Sequence, residues 1–159
     1  MKKLAVILLV LALILAAGAL YLRLGANLKP ISASVKELPA SENLSQWATL
    51  YVEMSDGTFQ GTIVDGTPMG EAEEYVFRTY SIELRNLGII KAEAITVTIK
   101  PGGGDVAIYG EPRLFALPAF SNGTIETTVL SSVNSDSRRA AVVDYYVFGR
   151  KMSATVIVE

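Results

Sequence analysis

Residues 75–100 read YVFRTYSIELRNLGIIKAEAITVTIK, and this stretch decides the fold. Apolar and polar residues alternate through most of it, which is the period of a β-strand with one buried face. The pattern predicts strands at Tyr75–Asn86 and Ala94–Lys100. The apolar residues that alternation places on one face of each strand are Tyr80, Ile82 and Leu84 in the first and Ile95, Val97 and Ile99 in the second.

The same alternation recurs on both sides of this stretch. It predicts further strands at Ala48–Met54, Thr58–Val64, Val106–Tyr109, Arg113–Leu117, Thr124–Ser131, Ala140–Phe148 and Lys151–Val158. Asp56-Gly57 is a hairpin signal, and Gly149 before Arg150 suits the first loop position of a type II′ turn. Outside the N-terminus, the only helical signal is a single turn at Ser41–Gln46. This succession of short strands indicates an all-β fold, an antiparallel two-sheet immunoglobulin-like sandwich.

The turn between the predicted strands Tyr75–Asn86 and Ala94–Lys100 resembles that of a known family. Asn86 and Gly88, with Leu84 before them and Ala92, Ala94, Val97 and Ile99 after them, resemble the strand–Asn-x-Gly–strand core of prokaryotic immunoglobulin-like domains of the CARDB and related cell-surface adhesion type. In that family the Asn-x-Gly turn joins two sandwich strands, and the modules serve as surface spacers or binding units. The resemblance implies the same sandwich here, and a role at the cell surface.

The N-terminus is strongly apolar. Residues 4–22 contain no charged side chain, and 19 residues at the helical rise span roughly 28 Å, close to the thickness of a bilayer core. Lys2 and Lys3 precede the run and favour an N-inside, C-outside orientation. The alternative is a cleaved signal peptide, for which Ala17-Gly18-Ala19 offers a small-x-small cleavage site. In either case the sequence predicts an exported domain.

The domain organisation follows from these patterns. We expect a single-pass membrane anchor at residues 1–23, a stalk at 24–39 that contains Pro30 and Pro39 and one candidate strand at Ile31–Lys36, and the sandwich at 40–159. The predicted location is the cell membrane, with the C-terminal domain outside the cytoplasm.

Composition excludes several kinds of chemistry. The chain has no cysteine and no histidine. It therefore has no disulfide, no thiolate nucleophile, and no imidazole to act as a base or as a metal ligand. Domain residues from position 30 onward hold ten basic residues against all 16 acids, a net charge of about −6. This balance argues against nucleic-acid binding, and against a strong electrostatic hold on anionic lipid.

One acidic loop is the candidate metal site. Asp65, Glu71, Glu73 and Glu74 lie in a Gly- and Pro-containing loop, and carboxylate oxygens are ligands that calcium prefers. The spacing lacks the alternating acidic run of known calcium loops. A solvated loop is therefore the alternative interpretation.

Three other motifs contain residue types that could bind a ligand. The run Pro101-Gly102-Gly103-Gly104-Asp105 lacks the helix and the Lys-Ser/Thr pair of a phosphate loop and is interpreted as a turn. Arg138-Arg139 could bind a carboxylate or phosphate, or form a solvated loop tip. Tyr145 and Tyr146 face opposite ways on a strand, so at most one is available to stack on a ligand.

These observations predict no catalytic residue, no cofactor and no enzyme activity. The predicted function is a membrane-anchored, non-catalytic binding or envelope-scaffold module with a protein or cell-envelope partner. The alternative is a ligand- or calcium-sensing surface domain that uses residues 65–74.

Overall fold

The computed structural model describes residues 2–25, 27–67, 69–110 and 112–159. The helices are α1 (Lys2–Gly25) and α2 (Leu44–Asp56), and single helical turns lie at Ala40–Glu42 and Ala72–Glu74. The strands in the described residues are β1 (Leu28–Pro39), β2 (Thr62–Ile63), β3 (Tyr75–Asn86), β4 (Ala92–Ile99), β5 (Asp105–Tyr109), β6 (Arg113–Leu117), β7 (Asn122–Ser132), β8 (Arg139–Val147) and β9 (Arg150–Val158).

The strands form two antiparallel sheets that pack face to face. One sheet has the order β1-β3-β7-β5-β2 and the other has the order β6-β4-β8-β9. Between them lies an apolar core to which every strand except β2 contributes, including Tyr80, Ile82, Leu84, Ile95, Val97, Ile99, Val129 and Val143. The predicted antiparallel two-sheet sandwich after one N-terminal helix is confirmed, and β3 and β6 have the predicted bounds.

Most of the segment predicted to be a stalk is a strand of the sandwich. β1 pairs with β3 from Leu28↔Asn86 to Pro39↔Val76, so the domain begins at Leu28. β1 is an edge strand, where a proline costs no ladder hydrogen bond if its nitrogen faces outward. The register shifts between Pro30 and Ser32, and this bulge accommodates Pro30 within the strand.

A helix replaces the strand predicted at Ala48–Met54. The Asn43 side chain accepts a hydrogen bond from the Gln46 backbone N–H, as the N-cap of α2, and Gly57 ends the helix in the left-handed conformation (φ 71°). Asp56-Gly57 is therefore a helix terminus and the predicted hairpin is wrong. The strand predicted at Thr58–Val64 is reduced to the two residues of β2.

The two ends of the sandwich differ in their connection to α1. β1 starts opposite the last residue of β3, at Leu28↔Asn86. The same end holds the loops 87–91, 118–121 and 148–149, since Ala92 pairs with Leu117 and Glu93 with Tyr146. We call this the anchor end. The opposite end, where β1 stops and β3 starts, is called the far end.

α1 is long and apolar enough to cross a membrane. Its span Lys3–Tyr21 has a mean hydropathy of 2.8, and none of it is buried against the sandwich. A helix that is apolar on all sides finds its favourable surroundings in a bilayer.

Candidate functional site

α2 packs on the outer face of the five-stranded sheet. Trp47 and Leu50 are buried there with Phe77 and Leu130, in an apolar cluster separate from the core between the sheets. The Trp47 ring stacks on Tyr75 with a centroid distance of 5.0 Å. The helix is therefore fixed to the far half of this sheet by its own apolar face.

A second face of α2, beside the buried one, is also apolar, and it is exposed. Leu44, Ala48, Tyr51 and Val52 are spaced so that they form one stripe along the helix, and all four are open to solvent. Single exposed apolar residues are ordinary on protein surfaces, whereas a contiguous apolar patch marks a contact site. We call these four residues the α2 stripe.

A groove runs beside the α2 stripe. Its volume is about 210 Å³, and its apolar walls are Tyr51 and Met54 of α2 and Ile63 and Met69 of the following segment. Methionines adapt their shape to a bound group more readily than branched residues do. The stripe and the groove together form a continuous apolar surface at the far half of the domain.

Every charged residue in the segment that forms this surface is acidic. Residues 40–77 contain seven Asp or Glu and no Lys or Arg. Four of these acids are the candidate calcium ligands Asp65, Glu71, Glu73 and Glu74. The charged side chains of the segment that forms the apolar surface are therefore all negative, which favours a basic partner over an anionic one.

The structure does not gather the four acids into a metal site. Asp65 accepts a hydrogen bond from the Thr67 backbone N–H (3.0 Å), which lowers the Asp65 pKa. Glu73 and Glu74 lie in the helical turn Ala72–Glu74. Across the residues described by the structure, no three acidic side chains form a group that could hold a metal ion.

Asp105 and Arg139 form a buried ion pair at the far end. Arg139 Nη2 donates to Asp105 Oδ1 at 2.6 Å and Arg139 Nε donates to Oδ2 at 2.8 Å, with side-chain exposures of 4% for Arg139 and 0% for Asp105. Ser131 and the Gly102 backbone N–H also donate to Asp105. Burial alone would raise the pKa of Asp105, but these donors outweigh it and lower the pKa.

This ion pair shows what two motifs of the sequence do, the pair Arg138-Arg139 and the glycine run before Asp105. Arg139 points inward at the start of β8 and is not a loop tip, whereas Arg138 is exposed and pairs with Glu159 (3.1 Å). The Gly102–Gly104 run is a turn whose first N–H binds Asp105. A Cβ on Gly102 would lie 2.5 Å from the Arg139 guanidinium carbon, so this glycine makes room for the buried arginine.

The tyrosines mostly serve the fold. Tyr145 is buried and Tyr146 is exposed, as their alternation predicts. Tyr80 is buried in the core and donates to the Ser137 carbonyl at 2.7 Å. Burial raises the pKa of Tyr109 to about 12, although Gln46 of α2 donates a hydrogen bond to its hydroxyl.

Asn86 holds the anchor end together. Its buried side-chain amide donates to the carbonyls of Ile90 (2.7 Å), Leu117 (3.0 Å) and Pro118 (3.1 Å), and its side-chain oxygen accepts from Gly88 N–H (2.9 Å). The predicted turn residues Asn86 and Gly88 therefore fix the 87–91 loop and tie it to the 118–121 loop.

The β8–β9 turn differs from the prediction. Val147 pairs with Arg150, so the loop residues are Phe148 and Gly149, with φ angles of 52° and 73°. Gly149 therefore occupies the second loop position, and positive φ at both positions is the requirement of a type I′ turn.

Sequence reasoning missed the α2 stripe because it assigned this segment to a strand. Three signals could have found the helix: Asn43 followed three residues later by Gln46, the glycine at 57, and the helical spacing of Trp47, Leu50 and Met54. Comparisons of the sequence with models of known protein families and with curated proteins find no match.

Proposed function

We propose that this chain is a single-pass membrane protein whose sandwich lies outside the cytoplasm and binds a protein of the cell envelope without catalysing a reaction. The observation that carries the proposal is the α2 stripe with its groove, an exposed apolar surface within an acidic part of the chain. The prokaryotic, cell-surface character that the CARDB-type resemblance implies belongs to the same proposal.

Anchorage is supported by α1 and orientation by its flanks. The apolar span Lys3–Tyr21 suits a bilayer core, and Lys2 and Lys3 at its start favour an N-terminus inside the cell. The domain starts three residues after α1 ends, at Leu28, and therefore works close to the membrane.

The chemistry of the partner follows from the surface. An apolar stripe along one helix suits a partner segment that offers apolar side chains at a matching spacing. The seven acids of residues 40–77 favour Lys or Arg beside those apolar side chains. We therefore infer an amphipathic, basic segment of another membrane or envelope protein as the binding partner.

A non-catalytic role is supported by how the buried charges are used. Asp105 and Arg139 neutralise each other. Arg78 is bound by Glu37 and by the Ser135 carbonyl, each at 2.7 Å. Such mutually paired groups stabilise a fold, and a general acid or base needs a face open to substrate.

Site-specific photo-crosslinking tests the proposal. A photoreactive amino acid replaces Tyr51 or Val52 in the full-length chain in its native membrane, and Thr98, exposed on the opposite sheet, is the matched control. We expect one discrete adduct from positions 51 and 52 and none from 98. Asp56 follows Val52 by one helical turn and Asp65 directly precedes Gly66 and Thr67 of the groove. The adduct should weaken in Asp56→Asn/Asp65→Asn and at high salt, because both reduce the attraction to a basic segment.

Three outcomes would contradict the proposal. Equal adducts from positions 51, 52 and 98 would indicate unspecific proximity. An adduct whose yield is unchanged by neutralisation of Asp56 and Asp65 would reject the basic partner. A calcium-dependent rise in melting temperature, with no adduct at 51 or 52, would favour the ion-sensing alternative.

A further inference from the structure

Apolar residues lie at the tips of the anchor-end loops. Leu87 and Ile89 are exposed in the loop 87–91, Phe120 is 64% exposed in the loop 118–121, and Phe148 is 57% exposed in the β8–β9 turn. All three loops lie at the end where α1 joins β1. The sandwich thus carries an apolar rim around the point where its helix leaves.

Two of these residues hold a backbone conformation that disfavours them. Phe120 has φ 57° and Phe148 has φ 52°, in the left-handed region that bulky residues rarely adopt and that Gly or Asn occupies readily. Strained positions that persist in a fold are concentrated at functional sites. The aromatic side chain, exposed in both cases, is the property that Gly or Asn would not supply.

The charge at this end is opposite to that of the α2 surface. Five exposed basic residues lie on or next to the anchor-end loops: Lys29, Arg85, Lys91, Arg150 and Lys151. Three acids partly offset them. Glu93 pairs with Lys91 (2.6 Å), Asp144 pairs with Lys151 (2.8 Å), and Glu83 accepts a hydrogen bond from the Asn122 side chain (3.1 Å). The negative charge of the whole domain therefore conceals a local excess of positive charge at the anchor end.

The helix itself indicates what this rim contacts. Tyr21, at the end of the apolar span of α1, lies 5.9 Å from Phe148 between ring centroids. The β8–β9 turn therefore lies beside the end of the segment that is proposed to cross the membrane. Aromatic rings beside basic side chains are the residues that favour the headgroup region of a bilayer.

We propose that the anchor end is docked into the bilayer that α1 spans, with Phe120, Phe148 and the tips of loop 87–91 inserted at the headgroup level and the basic residues on anionic headgroups. This inference rests on the proposed membrane anchorage. Docking holds the domain upright on the lipid and directs the acidic α2 surface away from the membrane. The hydrogen bonds of Asn86 fix two of the inserted loops in advance.

Spin labels test the docking, since the chain has no cysteine of its own. Ile89→Cys reports the rim with both phenylalanines intact, Val52→Cys is a control of similar exposure (44% and 54%), and Leu11→Cys reports α1. Each full-length variant is labelled with a nitroxide and placed in vesicles of equal phosphatidylcholine and phosphatidylglycerol. Electron spin resonance then compares access of oxygen, which enters lipid, with access of a water-soluble nickel chelate.

We expect the labels at 89 and 11 to lose access to nickel and the label at 52 to keep it. In the Ile89→Cys background, Phe120→Asn with Phe148→Asn should restore nickel access, because asparagine keeps the left-handed backbone and removes the inserted ring. If the nickel chelate reaches the label at 89 as readily as the label at 52 while the label at 11 stays in lipid, the docking is overturned and the anchorage stands. Nickel access at 11 would overturn both, and an unchanged signal in the double variant would overturn the role of the phenylalanines.

Discussion

Asp105→Asn removes the charge from the buried ion pair while keeping the size of the side chain. The carboxylate accepts four hydrogen bonds, two of them from Arg139. An amide offers one oxygen, and its NH₂ group would face the donors of the guanidinium. Arg139 would keep one hydrogen bond to the amide oxygen, besides those from Nη1 to the backbone carbonyls of Asp136 and Arg138, and its positive charge would have no buried counter-charge.

The expected cost is large because the charge left behind is buried. Removing one partner of a buried ion pair costs about 3–5 kcal/mol, a sizeable part of the roughly 5–15 kcal/mol that stabilises a typical domain. With a urea dependence of about 2 kcal/mol per molar, the unfolding midpoint should fall by about 2 M.

Urea unfolding of the full-length chain in detergent micelles measures this loss. Trp47 is the single tryptophan and is buried in the far half of the domain, so its fluorescence follows the sandwich without a signal from α1. Asp144→Asn is the control, because it breaks an exposed pair with Lys151 and such pairs contribute little. Asp105→Leu/Arg139→Leu should be more stable than Asp105→Asn, since no charge stays buried alone.

The reasoning would be refuted by a loss below about 1 kcal/mol for Asp105→Asn, the range of a surface pair. It would also be refuted if the double variant were no more stable than Asp105→Asn. Either result would mean that water or another group satisfies Arg139 once the carboxylate is removed.

Three further predictions concern stability, and Trp47 fluorescence reports all of them. The pKa of Asp105 in the folded state lies below its ordinary value. The contribution of Asp105 to the free energy of unfolding is therefore complete above about pH 4 and is lost as pH falls through the folded pKa. The urea midpoint should fall in acid, and it should fall less in Asp105→Asn. Leu50→Ala should cost about 2–5 kcal/mol by opening a cavity under α2, whereas an equal loss from exposed Val52→Ala would contradict the described packing. Phe148→Asn should raise stability by up to about 1 kcal/mol by relieving a left-handed phenylalanine, and a lower midpoint would argue against that strain.

The sandwich could be predicted because its strands alternate. Tyr80, Ile82 and Leu84 of β3 and Ile95, Val97 and Ile99 of β4 are alternate residues that are apolar and buried between the sheets. This period is a local property of the sequence. The N-terminal helix was predictable for a similar reason, since its apolar residues are continuous.

α2 was not predicted because its pattern fits two periods. Leu50, Val52 and Met54 alternate like a strand, whereas Trp47, Leu50 and Met54 have helical spacing. Only the caps at Asn43 and Gly57 distinguish the two. Without the helix, the exposed stripe on its outer face could not be recognised.

The remaining features depend on contacts distant in sequence. Arg139 was interpreted with its neighbour Arg138, yet its partner Asp105 lies 34 residues earlier and no local pattern connects them. The stalk prediction relied on Pro30 and Pro39, and only the edge position of β1 explains why they are tolerated. The left-handed Phe120 and Phe148 run against residue preference and could be found only in the structure.

The domain is proposed to lie outside the cytoplasm and to offer its α2 stripe to a partner. Maleimide labelling of Val52→Cys and Thr98→Cys in intact native cells, with a reagent that does not cross membranes, tests this proposal most directly. We predict that both cysteines react before lysis, and that position 52 reacts more slowly in cells than in the purified chain while position 98 reacts equally fast in both. Labelling that begins only after lysis would contradict the location, and equal rates at position 52 in cells and in the purified chain would contradict the occupied stripe.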